Sequence, residues 1–228
     1  MELRTIHLDD GQTTSASIVR PEHGAPRTWP AVILAHGAGT DRHHPSLLGW
    51  QATLAAAGYL AILFNFPYRE RGRKLPDPRP VLERCWRAVV AQVRTADAPS
   101  WLAIGGRSMG GRMATYVVAD GVAVDALVLL GYPLHPAGKP TQLRADHLPR
   151  IHVPTLFVQG TRDALADMPR LHEALRPMPH ATLHEIDQAD HSFRVPKRTG
   201  RSASDVHNAI GGVMIHWLDA QRAQLTAR

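Results

Sequence analysis

A chain of 228 residues with 44% hydrophobic and 20% charged side chains can bury a sizeable core, which argues against a largely disordered protein. The net charge of +6 comes from arginines scattered along the whole chain without aromatic interleaving, so nucleic-acid binding is not expected as the main function. A single cysteine excludes an intrachain disulfide, no run nears the ~20 apolar residues that span a bilayer, and the N-terminus lacks the apolar segment of a signal peptide; a cytoplasmic chain without membrane contact is expected.

In chain order, the runs ELRTIHL and TSASIVR flank Asp9-Asp10-Gly11, a turn signal that predicts an antiparallel hairpin at the edge of a sheet. From Ala31 onward short apolar runs alternate with helical patterns, as in βαβ units of a mostly parallel sheet. Strands are expected over Ala31–Gly37, Tyr59–Phe66, Trp101–Gly106, Ala126–Tyr132, Thr155–Gly160 and Ala181–Asp187, and their apolarity suits strands covered on both faces. Ser46–Ala57 and Gly110–Ala119 read as helices and Met168–Leu175 as a shorter one. After Pro80, the spacing of Val81, Leu82, Cys85, Trp86, Val89, Val90 and Val93 puts one apolar face on a helix, and Cys85 on that face is expected to be a buried, inert thiol.

The proline-rich stretch between Tyr132 and Thr155 has no sustained period and predicts an irregular loop, with no large lid. In the closing helix, Ser204 is the expected N-cap and Val206, Ile210, Val213 and Trp217 the buried stripe. Gly211-Gly212 weaken that helix by about 1 kcal/mol each relative to alanine, which close backbone packing against the sheet would explain. Residues 1–228 are expected to form one α/β domain.

The segment GGRSMGGR, Gly105 to Arg112, packs four glycines around one serine between a predicted strand and a predicted helix. Gly106-Arg107-Ser108-Met109-Gly110 is a G-x-S-x-G in the strand-to-helix context that lifts a hydroxyl above a sheet, with glycine where side chains would collide in the sharp turn. A nucleophilic serine needs a base and a carboxylate that orients the base, on loops after later strands. Asp163 in GTRD follows the strand ending at Gly160, and His191 in DQADHSF follows the next strand. Asp167 reads better as a helix N-terminal charge, Asp190 adjoins the histidine and would point away from it, and His180 and His184 lie before or within a strand. Two backbone N–H donors for a developing oxyanion are expected at Met109 and at Ala38, in the loop His36-Gly37-Ala38-Gly39.

With these motifs the chain resembles the α/β-hydrolases, and within them the small, lid-poor dienelactone-hydrolase-like proteins. The strings FNFPYRERGRKLPD, GYPLHPAGKP, LRADHLPRIHVPTLFVQGTRD and ADHSF are similar to a bacterial branch related to the third subunit of the non-specific lethal chromatin complex. The resemblance implies an α/β-hydrolase fold: a mostly parallel central sheet flanked by helices on both faces, an N-terminal antiparallel hairpin and no large lid. It carries a Ser–His–Asp triad onto Ser108, His191 and Asp163, and so a serine hydrolase of a small-molecule acyl ester or thioester that needs no cofactor. Dienelactone hydrolases proper have cysteine where Ser108 stands, and the narrower branch brings no substrate with it. It does bring the alternative of a non-catalytic protein-interaction scaffold, against which an aligned base and acid argue. A lyase or haloperoxidase-like activity on the same fold is a third reading.

Arg69, Arg71, Arg73 and Lys74 cluster just past a strand end where open α/β sheets bind ligands; with Arg107 they suggest an anionic acyl or leaving group, and a solvated basic loop is the simpler account. Tyr132, with Pro133 and Leu134, is expected to line the pocket. His43-His44 are adjacent, their side chains diverge, and no further ligands are spaced to join them, so no metal site is expected.

Overall fold

The computed structural model describes residues 1–24 and 28–226. Asp9-Asp10-Gly11 turns β1 (Glu2–His7) back onto β2 (Thr13–Val19), the antiparallel hairpin expected. The apolar runs then supply β3 (Pro30–Ala35), β4 (Leu60–Phe64), β5 (Trp101–Arg107), β6 (Ala126–Leu130), β7 (Thr155–Gly160) and β8 (Ala181–Ile186). All eight strands join one sheet in the order β1-β2-β4-β3-β5-β6-β7-β8, parallel from β4 to β8 and antiparallel within the hairpin and where its β2 pairs with β4. This is the architecture the resemblance implies.

Helices α1 (Pro45–Ala56), α2 (Pro67–Glu70), α3 (Arg79–Ala96), α4 (Met109–Ala119), α5 (Met168–Leu175) and α6 (Ala203–Thr226) cover the sheet. Alternation along a strand explains the unbroken apolar runs. Ala31, Ile33 and Ala35 of β3 face the layer holding Trp86 and Val89 of α3 and Met113 and Val117 of α4, whereas Val32 and Leu34 face Trp50 and Leu54 of α1 and Ile210 and Met214 of α6. Cys85 is buried in the first layer, where desolvation pushes its thiol pKa up. β8 departs from expectation: it is an edge strand, only its Ile186 is buried, and its other side chains are half-buried or exposed. Between β6 and β7 the chain forms only a short turn of 3₁₀ helix, Leu148–Arg150, anchored by buried Leu148 and Ile151. Among the described residues no helix is long and apolar enough to cross a membrane.

Two details of α6 correct the sequence reading. The helix begins before Ser204: Ser202 Oγ accepts from the Asp205 amide at 3.1 Å while Asp205 Oδ2 accepts from the Ser202 amide at 2.7 Å, a reciprocal cap that Ser204 cannot make. Val213 is only half-buried, and Met214 and Leu218 complete the stripe with Val206, Ile210 and Trp217. The two glycines also differ. A Cβ on Gly211 would come 3.3 Å from Thr53 Cγ2 of α1, so the close neighbour is a helix and not the sheet, while a Cβ on Gly212 would meet nothing within 4 Å. Gly212→Ala is therefore expected to stabilise the protein by about 1 kcal/mol, read as a higher urea midpoint at unchanged slope.

Candidate active site

The carboxyl ends of β3, β5, β7 and β8 converge on one hydroxyl. Ser108 lies between β5 and α4 with φ +51° and ψ −117°, a conformation that costs a non-glycine residue about 1–3 kcal/mol and persists only when its surroundings impose it. Those surroundings are tight. A Cβ on Gly106 would meet the Ala35 carbonyl oxygen at 2.3 Å, and one on Gly110 would meet the His36 carbonyl oxygen at 2.6 Å. The collisions that glycine avoids are thus with the end of β3, which brings the loop from Gly37 onward against the serine.

His191 Nε2 lies 2.8 Å from Ser108 Oγ, and its Nδ1 lies 2.7 Å from Asp163 Oδ2. The Asp163 side chain has no exposed surface. Its remaining valences are filled by the Leu165 amide, 2.7 Å from Oδ1, and by Gln159 Nε2, 2.6 Å from Oδ2. With the carboxylate accepting at Oδ2, the imidazole proton belongs on Nδ1 and Nε2 is left to accept from the serine. Gln159 belongs to no catalytic motif, and its signal in the sequence is an amide in the otherwise apolar strand TLFVQG; its Oε1 also accepts from the Tyr132 amide at 2.8 Å, tying β7 to the end of β6.

The competing residues have other work. Asp167 caps α5 by accepting from the Arg170 amide at 3.1 Å, and Asp190 folds the His191 turn by accepting from the Ser192 and Arg194 amides at 2.8 and 2.9 Å.

Ala38 and Met109 line the same cavity as Ser108, about 310 Å³ in volume. His36 holds the loop that carries Ala38: its Nδ1–H donates to the Gly37 carbonyl at 2.8 Å and its Nε2 accepts from the Phe66 amide at 3.1 Å, which requires the neutral ring. Burial pushes its pKa from 6.5 down to about 4. Between those values the unfolded chain holds the extra proton, so this ring's contribution to stability is fully present above about pH 6.5 and is lost as pH falls toward 4. Unfolding measured by denaturant is expected to lose about 3 kcal/mol from this group across that window, and His36→Gln is expected to flatten the acid limb.

Other sequence-based assignments are corrected. Both Arg71 and Arg73 turn to Asp77, Arg71 at 2.7 and 2.6 Å and Arg73 at 3.2 Å, because this carboxylate lies within reach of both; neither lines the cavity. Tyr132 is buried in the core, its hydroxyl donating to the Arg144 carbonyl at 2.7 Å, and Leu134 is buried with it; of the three residues expected to line the pocket, Pro133 does so. Arg107 points away from the Ser108 cavity into a separate one.

The cations that do line the Ser108 cavity are Arg79, Arg112 and Arg144. Arg79 lies over the Tyr116 ring at 3.6 Å and is hydrogen-bonded to Glu83. Arg112, one helical turn beyond the serine, has a buried Nε without a hydrogen-bond partner among the described residues. Burial, and next the neighbouring charge of Arg144, lower its pKa from the usual guanidinium value. Asp77 is the one acidic residue of that lining, and it is already engaged twice. Two roomier depressions, of about 460 and 640 Å³, lie away from Ser108, one at the amino ends of β6 to β8 and one between β1 and α3.

Residues 28–219 match a family model described as an alpha/beta hydrolase domain. The fold is similar to that of an alpha-beta serine hydrolase homologue from Coxiella burnetii, at 17% identity and a TM-score of 0.75 over 95% of this chain and 97% of that one. It is also similar to Est1E from Butyrivibrio proteoclasticus, solved with ferulic acid bound, at 17% identity and a TM-score of 0.76 over 95% and 99%. A dienelactone hydrolase from Anabaena variabilis gives 21% identity and a TM-score of 0.74 over 96% of each chain.

Proposed function

The chain belongs to the alpha/beta hydrolase domain family, and we propose that it is a serine hydrolase acting through Ser108, His191 and Asp163 on a small acyl ester or thioester that carries an anionic group. The observation that carries this reading is the hydrogen-bonded line from Ser108 Oγ through the His191 ring to the buried Asp163 carboxylate. In the reaction, Ser108 Oγ attacks the substrate carbonyl as its proton passes to His191 Nε2, and the amides of Ala38 and Met109 hold the oxyanion. Asp163 stabilises the imidazolium that forms. The C–O or C–S bond then breaks, His191 gives the proton to the leaving group, and a water activated by the same ring releases the acid from the acyl-enzyme. No cofactor enters this scheme.

The anionic preference rests on Arg112 and Arg144, which line the cavity and form no ion pair among the described residues. The kinship to a bacterial branch related to the non-specific lethal complex subunit stays part of the proposal; it is carried by loop strings and adds no substrate. So do a single domain and a cytoplasmic location, for which the single cysteine speaks.

A panel pairing p-nitrophenyl hemiglutarate with the neutral p-nitrophenyl valerate tests the substrate class. The wild type is expected to favour the anionic ester, and Arg112→Gln to lower the ratio of the two kcat/KM values by roughly 10- to 100-fold, the worth of a charge-assisted contact. An unchanged ratio contradicts the preference.

A further inference from the structure

On the face of the sheet covered by α1 and α6 lies a separate, smaller cavity of about 210 Å³, enclosed by the starts of both helices and by the turn that carries His191. Neither Ser108, Asp163 nor His191 lines it. Its polar lining is two guanidiniums, Arg107 and Arg194, two imidazoles, His44 and His207, and two hydroxyls, Ser46 and Ser192. We propose that this cavity binds a phosphate group, held between Arg107 and Arg194.

Arg107 anchors the site. It is the last residue of β5, it is buried, and among the described residues its side chain makes one hydrogen bond, from Nη1 to His44 Nε2 at 3.0 Å. That acceptor is already compromised. His44 Nδ1 accepts from the Ser46 amide at 3.3 Å as the cap of α1, and a neutral imidazole has only one acceptor nitrogen, so the ring cannot satisfy both donors. A charged ring would have none. His44 and His207 are both held toward the neutral form, by burial in each case and by Arg107 in addition for His44, and so add no charge of either sign.

Two carboxylates act on Arg107 electrostatically, first Asp190 and more weakly Asp163, and neither forms an ion pair with it among the described residues. Asp190 Oδ1 accepts from the amides of Ser192 and Arg194, and Asp163 is held by His191, Gln159 and the Leu165 amide. Arg194 is near enough that its charge opposes that of Arg107. Two guanidiniums that repel each other across a cavity, with hydroxyls on its rim and a helix N-terminus beside it, form a cradle whose missing member is a multiply accepting anion. Phosphate supplies it, with two negative charges to share between the cations and oxygens in excess for the hydroxyls.

Occupancy also ties β5 to the His191 turn. The turn is closed by the Asp190 amide donating to the Arg194 carbonyl at 2.9 Å, so fixing the Arg194 side chain steadies the segment between them. This site does not depend on the activity proposed for Ser108.

Thermal unfolding at constant ionic strength tests it, with inorganic phosphate in one arm and glycerol 3-phosphate in the other. These separate free phosphate from a phosphate monoester as the source. In at least one arm the Tm of the wild type is expected to rise by about 3 °C at ten times the dissociation constant. The rise is expected to fall below about 1 °C in Arg107→Gln and in Arg194→Gln. Arg194→Gln, on the exposed turn, decides the matter should the buried substitution prevent folding. No rise in either arm for the wild type, or a rise that survives both substitutions, overturns the proposal.

Discussion

Replacing Ser108 by alanine is expected to lower kcat for ester hydrolysis by at least about 10⁴-fold, with the Tm changed little. The reasoning is local. Alanine accepts the same backbone conformation that serine adopts at φ +51°, so the turn between β5 and α4 survives, along with the bond from the Arg112 amide to the residue 108 carbonyl at 3.0 Å. What disappears is the one atom that His191 Nε2 reaches at 2.8 Å. Because the hydroxyl and the imidazole act as a unit, Ser108→Ala combined with His191→Ala is expected to be no slower than either alone, whereas independent contributions would multiply. Residual activity in the single variant then measures what binding and the Ala38 and Met109 amides supply without a nucleophile. Hydrolysis of a p-nitrophenyl ester by the two single variants and the double variant checks both statements.

The largest expected effect on stability comes from a single methyl group at Gly105. Its Cβ would lie 1.8 Å from the Val128 carbonyl oxygen of the paired strand β6, far inside van der Waals contact, with the carbonyl carbon at 2.7 Å and the Val128 nitrogen at 2.9 Å. All three atoms are backbone, so no rotamer change relieves the clash. β5 and β6 would have to part at the centre of the sheet, where both strands are buried on both faces. Gly105→Ala is expected to cost more than about 4 kcal/mol, the range reserved for strain and overpacking in a core, and to leave little folded protein. The urea midpoint, or recovery of soluble protein where no transition remains, measures it. By contrast, Gly39 and Gly138 have nothing within 4 Å of a Cβ and owe their identity to positive φ alone.

Legibility of the fold follows from which signals are local. The period of apolar residues lives in adjacent positions, so the strands and the longer helices are legible to within a residue or two, and α5 lies over Met168–Leu175, the span its pattern gives; the single turn α2, Pro67–Glu70, is too short to show a period and is absent from the sequence reading. The positions of Ser108, Asp163 and His191 were legible because each follows a strand of a parallel sheet, and parallel strands present their carboxyl ends together. Partnership between charges is not local in this sense. The basic run Arg69 to Lys74 stands out in the chain, yet it cannot announce that Asp77 folds back to hold Arg71 and Arg73. Arg112 offered a fainter cue, since four residues beyond the serine on a helix puts it one turn behind the hydroxyl; Arg144 offered none, because its place at the cavity depends on how an irregular loop folds. The glycines of α6 looked alike in sequence for the same reason, and only the approach of Thr53 on α1 separates them.

The proposed chemistry requires the folded chain to activate the Ser108 hydroxyl for attack on an acyl carbon. A fluorophosphonate probe, which phosphonylates activated serines, tests it directly, with the adduct mapped by mass spectrometry on the intact wild-type protein. One phosphonyl group per chain is expected, on Ser108, and none on the His191→Ala variant. An unmodified Ser108 under conditions where a control serine hydrolase reacts fully, or a label on a different residue, would contradict it.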